Sequence, residues 1–225
     1  MSTTTNELIS EYIGRLRVGG ASGIEQYEQR LNTNANDPDV LGDLLLEARA
    51  ALMFLQYGFK VAMRDRPDLR IELDKQVAYV EVKHFREKEQ DRADEKAMLE
   101  PSDRLVLTGE LLESEGAVAW RQIVDVAIAK AGQYVSNAPN ILVVESSSPS
   151  LELMLGTAVH VYDEEVLKSD DLRLRRLSAM MLVNTCSIAF RGGQSNVEFC
   201  QTAHASAPLS AKLGSALRKI RMDLA

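Results

Sequence analysis

The sequence lacks most of the features that assign a protein quickly. No apolar run approaches the roughly 18 residues of a membrane span, so no membrane association is expected. The opening stretch MSTTTNELIS has neither the basic start nor the apolar block of a secretory leader. Cysteine is scarce: Cys186 and Cys200 stand 14 positions apart with no C-x-x-C partner. They do not make a zinc site, and they fit a reducing, cytoplasmic compartment. The three histidines, His84, His160 and His204, have no metal-ligand spacing. There is no G-x-G-x-x-G or Walker pattern, and Ser146 to Ser148 lack the G-x-S-x-G elbow of a serine hydrolase. Positive charge is not in excess either: the formal net charge is −7. That excludes a chain coating nucleic acid by bulk charge, but leaves room for a local basic groove around an acidic centre.

The 225 residues are 45% hydrophobic and 26% charged, enough for one sizeable packed domain. Residues 1–36 read as a peripheral helical segment. In it two amphipathic stretches, Glu7 to Leu16 and Gly23 to Leu31, flank the flexible GGASG. Residues 37–225 form the main domain. Asp37-Pro38 is a helix start, and Leu41, Leu44, Leu45, Ala48, Leu52 and Leu55 make one face of a helix to about Tyr57, closed by Gly58. FKVAM is a strand. The charged run at 86–96 holds four basic and five acidic residues and is either a solvated segment or a lid. Helices are expected at Ala117 to Val135, Asp163 to Leu177 and Leu209 to Met222. NILVVESS and AMMLVNTC are buried strands, and a hairpin is expected around Gly192-Gly193. Helices alternating with short apolar strands give an α/β fold with a mixed sheet.

The stretch PDLRIELDKQVAYVEVKHF, residues 67–85, is the informative one. With Asp74-Lys75 as a two-residue turn, paired positions sum to 149. Asp68 then lies opposite Glu81 on one sheet face, and Lys83 shares it. Two like charges facing each other are unfavourable by about 0.2–1 kcal/mol. A hard divalent cation reverses that sign, or Lys83 alone neutralises the pair. Glu47 lies about 60° around the preceding helix from Leu44, near the helix–sheet seam. It is a third acid for the site or a boundary residue.

A helix with Glu47, a strand, Pro67-Asp68, twelve residues and Glu81-Val82-Lys83 together resemble the PD-(D/E)xK nuclease superfamily. The resemblance covers residues 38–147, including a later helix with Lys130 and Gln133 and the strand NILVVES. It implies a restriction-endonuclease-like core, a central mixed β-sheet flanked by helices. It also implies hydrolysis of phosphodiester bonds in nucleic acid, DNA in the first place, with Mg²⁺ or Mn²⁺. Asp68, Glu81 and the Val82 carbonyl would hold the metal. Lys83 would orient or deprotonate the attacking water, and Glu47 would bind a second metal or position water. Lys130 and Gln133 are candidates for phosphate or metal-water contact, or else ordinary wet-face helix residues. Lys212, Arg218, Lys219 and Arg221 supply the basic groove, or merely complement their own helix dipole. Many such enzymes act as homodimers to cut both strands, although no stretch here names an interface. The competing expectations are a non-catalytic nucleic-acid-binding or regulatory protein on the same fold, and a structural subunit of a complex.

Overall fold

The computed structural model describes residues 3–85, 120–146, 154–184, 194–220 and 222–223. The expected charged run at 86–96, Cys186 and the hairpin tip around Gly192-Gly193 lie outside them. Three helices open the chain: α1 (Thr3–Val18), α2 (Ile24–Thr33) and α3 (Pro38–Gln56). The strands β1 (Lys60–Met63), β2 (Leu69–Leu73) and β3 (Gln76–Phe85) follow. A helix α4 at 120–129 runs into a 3₁₀ turn at Lys130–Gly132 and then β4 (Asn140–Ser146). Next come α5 (Leu155–Lys168), β5 (Leu177–Asn184), β6 (Gln194–Gln201), α6 (Ala211–Leu217) and the two-residue β7 (Met222–Asp223).

Strands β1 to β6 form one mixed sheet in sequence order, with β7 pairing alongside the start of β6. β1–β2, β2–β3 and β5–β6 are antiparallel; β3–β4 and β4–β5 are parallel. The two parallel connections run through α4 and α5, which cover one face. There Ile123, Val124, Ala127, Leu155, Val159 and Tyr162 pack with Leu142, Val144, Met180 and Leu182. The other face, with Ala78, Val80, Val82, Ile141, Val143, Ala179 and Met181, is covered by α3 and α6, and α1 and α2 join the same apolar cluster. Covered on both faces, β4 and β5 are buried along their whole length and carry the apolar runs 141–144 and 179–183.

The hairpin register is fixed by its turn. Asp74 and Lys75 both have positive φ, 51° and 67°, as a type I′ turn requires. All five pairs, from Leu73↔Gln76 to Leu69↔Val80, sum to 149. A one-residue slip would put the apolar set Leu69, Ile71, Val80 and Val82 on the wrong face.

Helix α3 begins as its sequence dictates. The Asp37 carboxylate accepts from the Asp39 and Val40 amides at 3.1 Å, Pro38 sits in the first turn, and Gly58 takes φ 80° beyond its end. Its buried side is broader than the leucine face. Leu46, Glu47, Ala50, Ala51, Met53 and Phe54 are buried, while Leu41, Leu45, Leu52 and Leu55 are only partly so. The physical reason is that α3 lies between the sheet and the α1–α2 pair, so both flanks are covered. Ile9, Ile13, Leu16, Ile24, Tyr27 and Leu31 of residues 1–36 belong to the same apolar cluster. That segment also docks on the β1 edge: Ser22 N donates to the Val61 carbonyl and Met63 N to the Ser22 carbonyl. Gly23 permits the approach, since a Cβ there would meet the Met63 oxygen at 2.3 Å.

Three expected helices differ from those observed. The described part of the helix expected to Val135 leaves regular α geometry after Ala129 for the 3₁₀ turn. The helix expected at Asp163 to Leu177 runs instead from Leu155 to Lys168. Ser169 Oγ and Asp171 Oδ1 accept from the amides of Asp171 and Arg173, a local turn that competes with helix, and Leu177 is the first residue of β5. The C-terminal helix, capped by Ser210, lasts only to Leu217, because the chain then turns for Met222 and Asp223 to pair with β6.

Candidate metal centre

β2 begins at Leu69, opposite Val80, so its ladder with β3 ends there. In the hairpin, Gln76, Ala78, Val80 and Val82 turn their amides and carbonyls toward β2. Continuing the register, Val82 would face position 67, which is proline. Pro67 has no N–H to give the Val82 carbonyl. Asp68 supplies the other half of the pairing from its side chain: Oδ2 accepts the Val82 amide at 2.7 Å. The Pro-Asp dipeptide therefore ends the β2–β3 ladder, fixes one carboxylate against the β3 backbone and leaves the Val82 carbonyl directed to the same edge without a β2 amide to accept from.

Three carboxylates converge there: Glu47 of α3, Asp68 before β2 and Glu81 in β3. They are only 6%, 8% and 2% exposed. Two cations answer them. Arg30 of α2 grips Glu47 through both oxygens, at 3.0 and 3.2 Å. The same guanidinium donates to the Arg64 carbonyl at 2.9 Å, approaches Asp65 at 3.8 Å and lies over the Tyr27 ring. Lys130, in the 3₁₀ turn after α4, places Nζ 2.5 Å from Glu81 Oε1 and 3.0 Å from Gln133 Oε1. Glu81 Oε2 is buried and has no hydrogen-bond partner among the described residues.

Among the described residues, three acids against two bases leave one buried negative charge in surplus, and the proton affinities follow. Burial, then the charge of Glu81, pushes the Asp68 carboxyl up to about 7, although the Val82 amide pulls it down. Burial, then the charge of Asp68, pushes Glu47 up to about 8 against the pull of Arg30. The group takes up either a proton or another cation.

Lys83 stands apart from the expected geometry. Its strand position matches Glu81, but its ammonium reaches Asp43 of α3 at 3.6 Å, beyond the point where β2 stops. It does not neutralise Asp68 and Glu81; Lys130 takes that place at Glu81. Glu47 is not a free ligand either, since Arg30 engages both its oxygens. The expected basic helix lies elsewhere. Lys212 pairs with Asp74 at 2.6 Å, at the turn end of the hairpin, and Arg218 lies over the Phe199 ring. Gln76 and Glu81 are five residues apart on β3, so the turn end is ~17 Å from the carboxylates at 3.3 Å per residue. Lys219 follows at the end of α6, and Arg221 is outside the described residues.

Arg30 was missed from sequence. It lies 38 positions before Asp68, and the only signal for it is its place on a helix face beside Tyr27. The pair Arg49–Glu145 was missed too. Arg49 of α3 bonds Glu145 at the end of β4 at 2.6 Å.

The donor set suits a small hard cation. Mg²⁺ is commonly held by one or two carboxylates with water and substrate oxygens filling the rest. Asp68, Glu81 with its unpartnered Oε2, and the Val82 carbonyl provide that set. Among the described residues, no group of three or more His, Cys, Asp or Glu side chains is arranged to hold a metal. Nor, among these residues, is any helix long and apolar enough to cross a membrane. No family model, curated protein or solved structure matches the chain.

Proposed function

We propose that the chain is a metal-dependent nuclease of the PD-(D/E)xK type, hydrolysing phosphodiester bonds with Mg²⁺ or Mn²⁺, with DNA as its first substrate class. The observation that carries this reading is the Pro67-Asp68/Glu81-Val82 junction. Two buried carboxylates and one main-chain carbonyl meet at the strand edge where the β2–β3 ladder stops, with a negative charge in surplus among the described residues. The order helix, strand, hairpin, helix, strand around that junction supports it as well.

A divalent ion bound there would lower the pKa of a water and stabilise charge on the phosphoryl oxygens. The chain's own residues do the rest. Asp68 is held in place by the Val82 amide. Arg30 keeps Glu47 in place beneath the pair and offsets its charge. Lys83 is 37% exposed on a flexible stem, within reach of Asp43 but in an ion pair at 3.6 Å. Such a half-exposed contact contributes little and is readily exchanged. On substrate binding Lys83 turns to the attacking water or to a phosphate oxygen.

A second reading, a nucleic-acid-binding or regulatory protein without cleavage, is favoured by one observation: Lys130 already partners Glu81 and Lys83 already partners Asp43. Single-turnover cleavage of plasmid and single-stranded substrates, with wild type beside Lys83→Ala, decides between them. The nuclease reading expects metal-dependent cleavage that falls about 10²–10⁴-fold in Lys83→Ala, with DNA retention nearly unchanged. A wild type that cuts neither DNA nor RNA in Mg²⁺ or Mn²⁺ leaves the non-catalytic reading.

A further inference from the structure

Arg30 and Lys130, the two cations of the carboxylate cluster, are held very differently. Arg30 is fixed by both oxygens of Glu47, by a main-chain carbonyl and by the Tyr27 ring. Lys130 has two partners, Glu81 and Gln133, and its side chain is 25% exposed. It stands on a three-residue 3₁₀ turn ending in Gly132, outside the regular helix. Its ammonium is a point charge on four rotatable carbons, the kind of cation that exchanges partners easily. It occupies one oxygen of the carboxylate whose other oxygen, buried, has no partner among the described residues.

We propose that Lys130 is a resident cation that holds Glu81 when no metal is present and yields it when a divalent ion binds. This inference rests on the metal-binding reading of Asp68 and Glu81. Without a cation, Glu81 would add a second uncompensated buried charge to the cluster, which would be strongly destabilising. With Lys130 in place the cluster carries only one. A divalent ion brings two positive charges to the same oxygens, so the ammonium is both redundant and repelled. Its partly exposed side chain lets it swing away from Glu81. Gln133, whose carbonyl oxygen accepts from Lys130, is the positioning residue that sets how firmly the ammonium stays.

Mn²⁺ titration calorimetry on four proteins tests this: wild type, Lys130→Met, Lys130→Arg and Gln133→Leu, with thermal melts to confirm that each is folded. Lys130→Met keeps the stem and removes the competing charge. It should bind Mn²⁺ roughly tenfold or more tightly than wild type, the scale of one charged hydrogen bond. Lys130→Arg keeps the competitor and should show no such gain, while Gln133→Leu should fall between. Equal or weaker Mn²⁺ binding by Lys130→Met, in a wild type that does bind, overturns the displacement and leaves the metal site standing. Absence of Mn²⁺ binding in all four overturns the metal reading itself. If Lys130→Met does not fold, Gln133→Leu decides: tighter binding supports displacement and unchanged binding overturns it.

Discussion

Two buried groups of charge flank α3, and they are built on different principles. At the end of β4, Glu145 meets Arg49 one to one; burial raises the carboxyl's proton affinity and Arg49 holds it down. Where β2 begins, three carboxylates share Arg30 and Lys130. The first group is balanced in charge, one acid to one base, although Glu145 Oε2 and Arg49 Nε, like Glu81 Oε2, are buried without a hydrogen-bond partner among the described residues. The second is one charge short, at a strand edge where Pro67 withholds the N–H that would close the ladder. A matched buried pair is what a fold keeps for its own integrity. A mismatched one costs stability, and the deficit is tolerated where something else completes it.

Breaking the matched pair should give the largest effect on stability. Arg49→Ala leaves Glu145 buried without its partner and should cost about 2–3 kcal/mol in urea unfolding, the low side for a buried pair because Arg49 is 34% exposed. Mn²⁺ should neither cause nor relieve that loss beyond what it does for wild type.

The mismatched group should respond with the opposite sign. Asp68 and Glu47 hold protons more tightly folded than unfolded, so the folded state carries more protons between the two pKa values. Their contribution to stability therefore falls as pH rises from about 4, the unfolded range, toward 7 to 8. Asp68→Asn removes one of these charges and still offers an oxygen to the Val82 amide. In metal-free buffer it should match wild type near pH 4 and be more stable by at least about 1 kcal/mol near pH 8. A variant less stable than wild type at pH 8 would show that no surplus charge exists.

Much of this arrangement was legible in the sequence, for reasons that are local. A two-residue turn and the alternation of Leu69, Ile71, Val80 and Val82 determine one register, and that register places Asp68 beside Glu81. Asp37-Pro38 and Gly58 mark the ends of α3 because capping chemistry is short-range. What brings distant residues together was not legible. Arg30 reaches Glu47 only because α2 packs on α3, and Lys130 reaches Glu81 only because α4 crosses to the opposite face. Lys83 meets Asp43 only because β2 stops early. Periodicity says which face a residue is on and nothing about which partner arrives there. The C-terminal helix was overread for the same reason: β7 pairing with β6 overrides a helical pattern that would otherwise continue.

The smallest effect is expected at the turn end of the hairpin. Lys212→Ala removes an exposed contact with Asp74, 66% and 56% exposed, and should change stability by less than about 0.5 kcal/mol. Its distance from the carboxylates predicts no change in Mn²⁺ affinity. A marked loss of DNA retention in this variant would place the basic surface here after all.

The most direct test of the central claim is Mn²⁺ titration calorimetry on wild type, Asp68→Asn, Glu81→Gln and Glu145→Gln at pH 8. Wild type and Glu145→Gln should bind alike, and Asp68→Asn and Glu81→Gln should bind far more weakly, because a hard cation needs both anionic oxygens. Equal binding by all four, or no binding by the wild type, would contradict the account.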